Sequence, residues 1–222
     1  MIKYPDTVEG RFVVRPNRFV AKVIVAGQEV TVHVKNTGKL GELLLPGAKV
    51  VLQQFNDIKR KTQYDLISVY KDGLGWVNID SLAPNRLVYD WLKAQDFDLI
   101  KPEYSFGNSR IDFYMERGGE KFLLEVKGCT LELDGVGLFP DAVSERAARH
   151  EKELILAAKA GYHAATAFVI AMPEVKNVIP NKAKDPRFAQ ALNAAKQSGV
   201  EQWNFLCDVG PETISVKEVI KC

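Results

Sequence analysis

The sequence predicts a mixed α/β protein: an OB-like β-barrel over residues 1–80, then an α/β domain over residues 81–222. Three observations carry this expectation. The first stretch is a series of short β-branched segments without a long amphipathic helix. The pattern turns helical near Leu82-Ala83-Pro84-Asn85, and from there strand and helix patterns alternate to the end.

In the first domain, strands are expected near residues 10–14, 19–25, 29–34, 49–55 and 64–70. Ala26-Gly27-Gln28 is a short hairpin connection, and Pro46-Gly47 marks a turn. Short strands in succession suit a small closed barrel, with a β-sandwich as the alternative. In the second domain, Leu87, Val88, Trp91 and Leu92 fall at helical spacing, with Ser81 or Asn85 as cap and Pro84 in the first turn. Strands follow near residues 99–106, 110–117 and 121–127, the last two joined across Gly118-Gly119. A long helix is expected after Phe139-Pro140-Asp141, with Ala147, Leu154, Ile155 and Ala158 as its stripe and Gly161 as its end. A buried strand at 163–172, a helix at 185–198 and strands at 200–207 and 213–219 complete the pattern.

Composition excludes several classes. An apolar fraction of 46% and a charged fraction of 26% are those of a soluble domain, and no apolar run is long enough for a membrane span. The opening residues lack the apolar segment of a signal peptide. Cys129, Cys207 and Cys222 share no metal-type spacing, and three stray thiols suit a reducing cytoplasm, the expected location. The net charge of +2 conceals an asymmetry. Residues 1–64 hold 11 Lys and Arg against 5 Asp and Glu, or +6, and the remainder holds 19 against 23, or −4. A basic module beside an acidic one suits phosphate contact in one and a metal in the other, though a solvated lysine-rich surface has the same composition.

The chemistry-bearing pattern is Arg110-Ile111-Asp112-Phe113, followed after the hairpin by Leu123-Leu124-Glu125-Val126-Lys127. Residues two apart on a strand share a face, so Glu125 and Lys127 project together while Leu124 and Val126 pack the other way. Normal hairpin pairing brings Asp112 beside Glu125. Two carboxylate ligands with room for water are what Mg²⁺ prefers, and such an ion activates water and offsets phosphoryl charge. The plainer alternative is a surface ion pair on an amphipathic strand.

These residues lie within a wider resemblance. Arg18-Phe19, Asn36-Thr37-Gly38, Leu45-Pro46-Gly47-Ala48, Val77-Asn78, Asn85-Arg86-Leu87, Ser109 to Phe113, Glu125-Val126-Lys127 and Phe139 to Arg146 together resemble the sugar fermentation stimulation protein A (SfsA) family. The resemblance runs from about residue 11 to 150 and more weakly to the end. It implies an N-terminal OB-like domain, a C-terminal PD-(D/E)xK (restriction-endonuclease-like) domain, DNA binding and a link to sugar catabolism. On that pattern Asp112 and Glu125 are metal ligands, Lys127 is the catalytic lysine, and the Val126 carbonyl is a further ligand for Mg²⁺ or Mn²⁺. Gly128-Cys129-Thr130 departs from the family's usual Ser-Val-Thr, beside the lysine but without removing a ligand.

Supporting residues each carry two readings. Asp141, Glu145 and Arg149 fall at i, i+4 and i+8, and Arg146 and His150 form an i, i+4 pair. Glu145 reaching a metal through water, with Arg146 and His150 on a phosphate, stands against a solvated helix face and a surface histidine. Asn85 is either a polar contact to the metal site or a simple cap. Asn36-Thr37-Gly38 either holds a phosphate, turns toward the second domain, or is a plain turn with Gly38 at positive φ. Arg11, Arg15, Arg18, Lys22 and Lys35, with Asn36, Lys39 and Arg110, form the candidate DNA-contacting set. Phe12 and Phe19 are expected in the core, Lys59-Arg60-Lys61 is a candidate phosphate loop, and the three tryptophans are assigned to packing. The function hypotheses are a Mg²⁺-dependent nuclease and a non-catalytic DNA-binding regulator with steep salt dependence; a homo-oligomer is compatible with either.

Overall fold

The computed structural model describes residues 1–222. The chain starts with a two-residue strand, β1 (Ile2–Lys3), which joins the second domain's sheet; the barrel begins after it. Strands β2 (Thr7–Asn17), β3 (Val20–Val25), β4 (Gln28–His33), β5 (Lys49–Gln54) and β6 (Tyr64–Lys71) run in the order β4-β3-β2-β5-β6. A parallel bridge from His33 to Asp65 joins β4 to β6 and closes the barrel, so the sandwich alternative is excluded. β7 (Gly75–Asn78) extends the sheet beyond β6.

Closure requires strong local twist, and β2 supplies it: its register against β3 shifts twice, between Phe12 and Val14 and between Val14 and Asn17. At Gly10 the strands approach so closely that a Cβ would stand 2.5 Å from Val23 Cγ1 and 2.9 Å from the Ile24 carbonyl. Phe12, Ala21, Val23, Val32, Leu52 and Leu66 fill the interior. Phe19 lies outside it: β3 starts one residue later, and the Phe19 ring, in the preceding turn, is 54% exposed.

The second domain contains α1 (Ala83–Lys93), β8 (Leu99–Phe106), β9 (Ser109–Arg117), β10 (Glu120–Cys129), β11 (Leu131–Leu133), β12 (Val136–Phe139), α2 (Glu145–Lys159), β13 (His163–Ile170), β14 (Val178–Pro180), α3 (Pro186–Gln197), β15 (Glu201–Val209) and β16 (Thr213–Lys221). Its main sheet has the order β1-β16-β15-β13-β10-β9-β8, and β11-β12-β14 form a small second sheet. β10, β13 and β15 are parallel neighbours at the centre. Both faces of that centre are covered, which is why β13 is buried from Ala164 to Ile170. Leu87, Val88 and Leu92 of α1 pack with Phe113, Leu124 and Val126 on one face. Leu154 and Ala157 of α2 and Ala195 of α3 pack with Tyr114 and Leu123 on the other.

The helix ends differ in part from expectation. Neither Ser81 nor Asn85 caps α1; Leu82 is the N-cap residue, and the Asp80 carboxylate accepts from the Leu82 N–H at 3.1 Å. α2 starts at Glu145, capped by Ser144, so Asp141 precedes the helix instead of occupying its first turn. Asp185 caps α3 through Phe188 N–H and also accepts from Ser144 N–H at 2.8 Å, tying two helix starts together. In α2, Ile155 and Ala158 pack partly buried against the core beside Leu154, and Glu151 and Ala157 are buried on the same stripe.

The domains share a core. A single cluster of 24 buried residues includes Phe12, Leu52 and Leu66 from the barrel and Phe168, Ile170 and Phe188 from the second domain. Asn78 N–H donates to the Ala171 carbonyl at 2.9 Å, linking β7 to the segment after β13. Two consequences are measurable by urea unfolding. Phe168→Ala lowers stability by about 3–5 kcal/mol, and barrel and α/β domain unfold in one coincident transition. Two separated transitions would contradict the shared core.

Candidate active site

The site forms at the carboxyl end of β10. Leu124 and Val126 face α1, so strand alternation turns Glu125 and Lys127 toward α2. Both are withdrawn from water, Glu125 at 2% exposure and Lys127 at 9%. β9 pairs with β10 only as far as Phe113 and Leu124. Phe113 and Met115 belong to the α1-side core, but Ile111 belongs to the α2-side core, so β9 changes face at Asp112. Freed from the ladder, the Asp112 carboxylate accepts from Val126 N–H at 2.7 Å and from Asn85 Nδ2 at 2.8 Å. Asn85 thus acts from inside α1 as a positioning group for Asp112.

Glu125 Oε1 accepts from Lys127 Nζ at 2.6 Å and from His150 Nδ1–H. Arg146 Nε approaches His150 Nε2 at 3.4 Å, so the imidazole spans from Arg146 on one nitrogen to Glu125 on the other. His150 is only 2% exposed, so it is no surface histidine. The two acids respond oppositely to this setting. Burial raises Asp112, the negative charge of Glu125 raises it further, and the bonds from Val126 and Asn85 offset this only in part. Burial also acts to raise Glu125, but the bonds from His150 and Lys127 and the Lys127 charge hold it below the usual carboxylate range.

Glu151 was missed at the sequence level. It is fully buried on α2, accepts from Thr166 Oγ1 at 2.9 Å, and leaves Oε1 without a partner. Burial raises it to about 7, the Lys127 charge and the Thr166 bond act against that, and Glu125 adds to it. The available signal was helical phase: Glu151 lies four residues after Ala147 and three before Leu154, on the stripe facing the sheet. Glu145, by contrast, is 83% exposed at its side chain and 3.8 Å from Arg187. Five residues from His150, it points about 140° away around the helix, so it does not join the cluster.

Nowhere in the chain do three His, Cys, Asp or Glu side chains converge as a metal cluster. The donor set fits a hard divalent cation nonetheless. Glu125 Oε2 is buried without a hydrogen-bond partner, and Asp112 sits beside a second carboxylate that raises it. Mg²⁺ commonly takes one or two carboxylates and completes its shell with water. Asp112 and Glu125 are the two carboxylates this arrangement offers to such an ion.

Beside the site lies a groove of about 670 Å³ between the domains, lined by Arg15, Arg18, Asn36 and Lys39 from the barrel and by Gly128, Thr130 and Asp141 from the second domain. Lys39 N–H donates to Asp141 Oδ2 at 2.9 Å across it. Asn36-Thr37-Gly38 therefore turns toward the neighbouring domain. Gly38 is not at positive φ; it is required because a Cβ would collide with the Asp141 and Asn36 carboxylate and amide oxygens. Arg15 donates to the carbonyls of Gly38 (2.6 Å), Lys39 (3.0 Å), Asn36 (2.6 Å) and Arg18 (2.7 Å), so its guanidinium builds the groove wall.

The other basic candidates lie elsewhere. Lys35 is directed inward to Asp80 and Asp65 at 3.0 and 3.4 Å, Lys22 bonds Thr31 at 2.9 Å, and Arg110 pairs with Glu103 at 2.5 Å. Arg11 is exposed outside the groove and reaches the Gly47 carbonyl at 3.3 Å. In Lys59-Arg60-Lys61 the middle residue pairs with Asp65 and lies 3.8 Å over the Phe55 ring, so Arg60 closes the barrel end.

Fold and site together define a class: an OB barrel fused through a common core to an α/β domain with an acid–acid–lysine cluster on a central strand. Comparison with known proteins places it further. Residues 13–79 match the SfsA N-terminal OB domain, and residues 82–213 match the sugar fermentation stimulation protein RE domain. The chain is 44% identical over 222 residues to a sugar fermentation stimulation protein homolog of Desulfitobacterium hafniense, covering 99% of this chain and 97% of that one. A homolog from Clostridium beijerinckii is 42% identical over 223 residues, covering 99% and 98%. Pyrococcus furiosus SfsA, solved in complex with Ca²⁺, superposes with a TM-score of 0.85 at 27% identity, covering 99% of this chain and 95% of that one. This chain belongs to the sugar fermentation stimulation protein (SfsA) family.

The raised Asp112 gives a stability prediction. A carboxyl whose folded value is raised costs nothing below the unfolded value of about 3.9, and its full cost is present above the folded value. With Asn85 turning its amide over, Asp112→Asn keeps both hydrogen bonds. In chelator, the variant therefore melts above the wild type at neutral pH, and the gap closes as the pH falls below about 4. A variant that melts lower at neutral pH would show that the charged form is not disfavoured.

Proposed function

We propose that this protein binds DNA along the interdomain groove and hydrolyses a phosphodiester bond at Asp112, Glu125 and Lys127, with Mg²⁺ or Mn²⁺ held by Asp112, Glu125 and the Val126 carbonyl. The observation that carries the reading is the departure of β9 from β10 at Asp112. It collects two carboxylates and an ammonium at the end of a strand whose next residue, Gly128, lines the groove. The Ca²⁺ complex of the P. furiosus relative supports a hard divalent ion, since Ca²⁺ and Mg²⁺ both select oxygen ligands.

When bound, such an ion supplies an activated water and offsets charge on the phosphoryl oxygens. The chain's own groups do the remainder. Lys127 places its ammonium where negative charge develops on the pentavalent phosphorus. His150 fixes Glu125 through Oε1 and leaves Oε2 free, while Asn85 and Val126 N–H fix Asp112. Arg146, exposed and bonded to His150, is placed to meet a substrate phosphate.

One observation favours a second reading, a non-catalytic DNA-binding regulator of sugar catabolism genes. Lys127 already pairs with Glu125, so one of the two acids is balanced without a metal. DNA incubation with Mg²⁺ or Mn²⁺ separates the two. Under the first reading the wild type cleaves, and Asp112→Ala, Glu125→Ala and Lys127→Ala each lose at least ~10²-fold while keeping their circular dichroism and DNA affinity. Equal cleavage by all three variants removes this site from the reaction. Binding without cleavage under either metal selects the regulator.

A further inference from the structure

We infer that the substrate is single-stranded or locally unpaired DNA, and that Phe19 stacks on an exposed base at the mouth of the groove. This rests on the DNA-binding reading above and specifies its substrate.

Two observations carry it. The first is the number of available cations. Of the three that line the groove, Arg15 has both terminal nitrogens on backbone carbonyls, and only Arg18 and Lys39 have side chains without a hydrogen bond or ion pair to the protein. Proteins that grip a duplex through its phosphates commonly make about 6–10 such contacts. Two free cations, with Asp141 on the opposite wall, suit a short single strand that gains affinity from its bases.

The second observation is the hairpin between β2 and β3. A lone exposed phenylalanine needs no explanation by itself. This one follows directly on Asn17 and Arg18, both of which line the groove, and its ring lies 6.0 Å from the Arg18 guanidinium. The backbone around it is held rigid. Asn17 Oδ1 accepts from Phe19 N–H at 2.8 Å and from Val20 N–H at 3.2 Å, Arg15 donates to the Arg18 carbonyl at 2.7 Å, and Val34 N–H donates to the Phe19 carbonyl at 2.8 Å. A fixed aromatic face beside an unpaired guanidinium is the combination that stacks a base and neutralises its phosphate. In duplex DNA the base faces are occupied by their neighbours, so Phe19 has nothing to stack on until a strand is open.

The test is fluorescence anisotropy of the full-length protein with a labelled oligothymidylate of about 12 nucleotides, within the range OB-folds cover. The same oligonucleotide with abasic central positions and the matching duplex are compared, without divalent metal to prevent turnover. Wild type prefers the single strand over the duplex. Phe19→Ala weakens single-strand binding by about 5- to 100-fold, Phe19→Trp restores it, and abasic DNA binds both wild type and Phe19→Ala equally weakly. With phosphate contacts from Arg18, Lys39 and Arg146, the logarithm of single-strand affinity falls with log salt at a slope near −2, where a duplex binder with six contacts gives about −5. Duplex preference, or binding indifferent to Phe19 and to base removal, overturns this inference and leaves the parent reading in place. No binding to any DNA overturns both.

Discussion

A carboxylate on the central strand of a sheet is costly to desolvate, and the second domain is arranged around meeting that cost at Glu125. Two donors converge on one oxygen, and each comes from a different level of organisation. Lys127 arrives by strand alternation, two residues along the same strand. His150 arrives by packing, because the α2 crossover covers this face of the sheet and turns the imidazole inward. The second oxygen is left buried and unpaired. An unmet buried acceptor costs about 1–3 kcal/mol, and more when charged. The divalent ion proposed above would meet that oxygen, and it would also offset the charge that keeps the adjacent Asp112 raised.

The barrel contributes to the same place through its loops. Arginine suits this because its planar donor fork can satisfy several acceptors at once. Arg15 gathers four carbonyls from the β2–β3 turn and the loop after β4, converting two flexible connections into one wall. Asp141 then receives that loop from the other side through Lys39 N–H, at a point where only glycine fits at position 38. Together with the shared core, these contacts fix the groove beside the strand that bears Glu125 and Lys127.

Much of the architecture was legible in the sequence because local chemistry and global fold agree. The Gly118-Gly119 hairpin has both glycines at positive φ, and Gly161 and Gly199 follow helix ends with φ of 87° and 86°. The β10 alternation placed Glu125 and Lys127 on one face before any coordinates were needed. What escaped depends on tertiary context. β1 is two residues long and owes its existence to β16, a partner more than 200 positions away in the chain. Phe19 reads as the first residue of an apolar strand, but the strand begins after it. Lys35 has the composition of a DNA-contacting residue, and only the positions of Asp65 and Asp80 show that it belongs to the domain joint. Glu151 was hidden because an acid on an apolar stripe is normally assigned to the solvent face.

The least regular part of the sheet explains how a hairpin can gather two carboxylates and an ammonium at all. In an undisturbed ladder Asp112 would face its partner on β10 as an ordinary cross-strand neighbour, its backbone bonded and its side chain perpendicular to the sheet. Instead pairing to β10 stops one residue short. On the far side, the register of β8 places Glu103 across from Asp112, and Glu103 is a non-glycine residue at φ 57°. The deformation therefore crosses both strands at a single rung. Such conformations cost of order 1–3 kcal/mol and persist where the surrounding structure compels them. Here the return is geometric. With its strand turned, Asp112 can bring a side-chain oxygen to the Val126 N–H that the ladder has left open, and so lie alongside Glu125 instead of merely across from it. Asp112 reaches the Val126 N–H because the sheet is broken there, and the α1 amide of Asn85 holds the break in place.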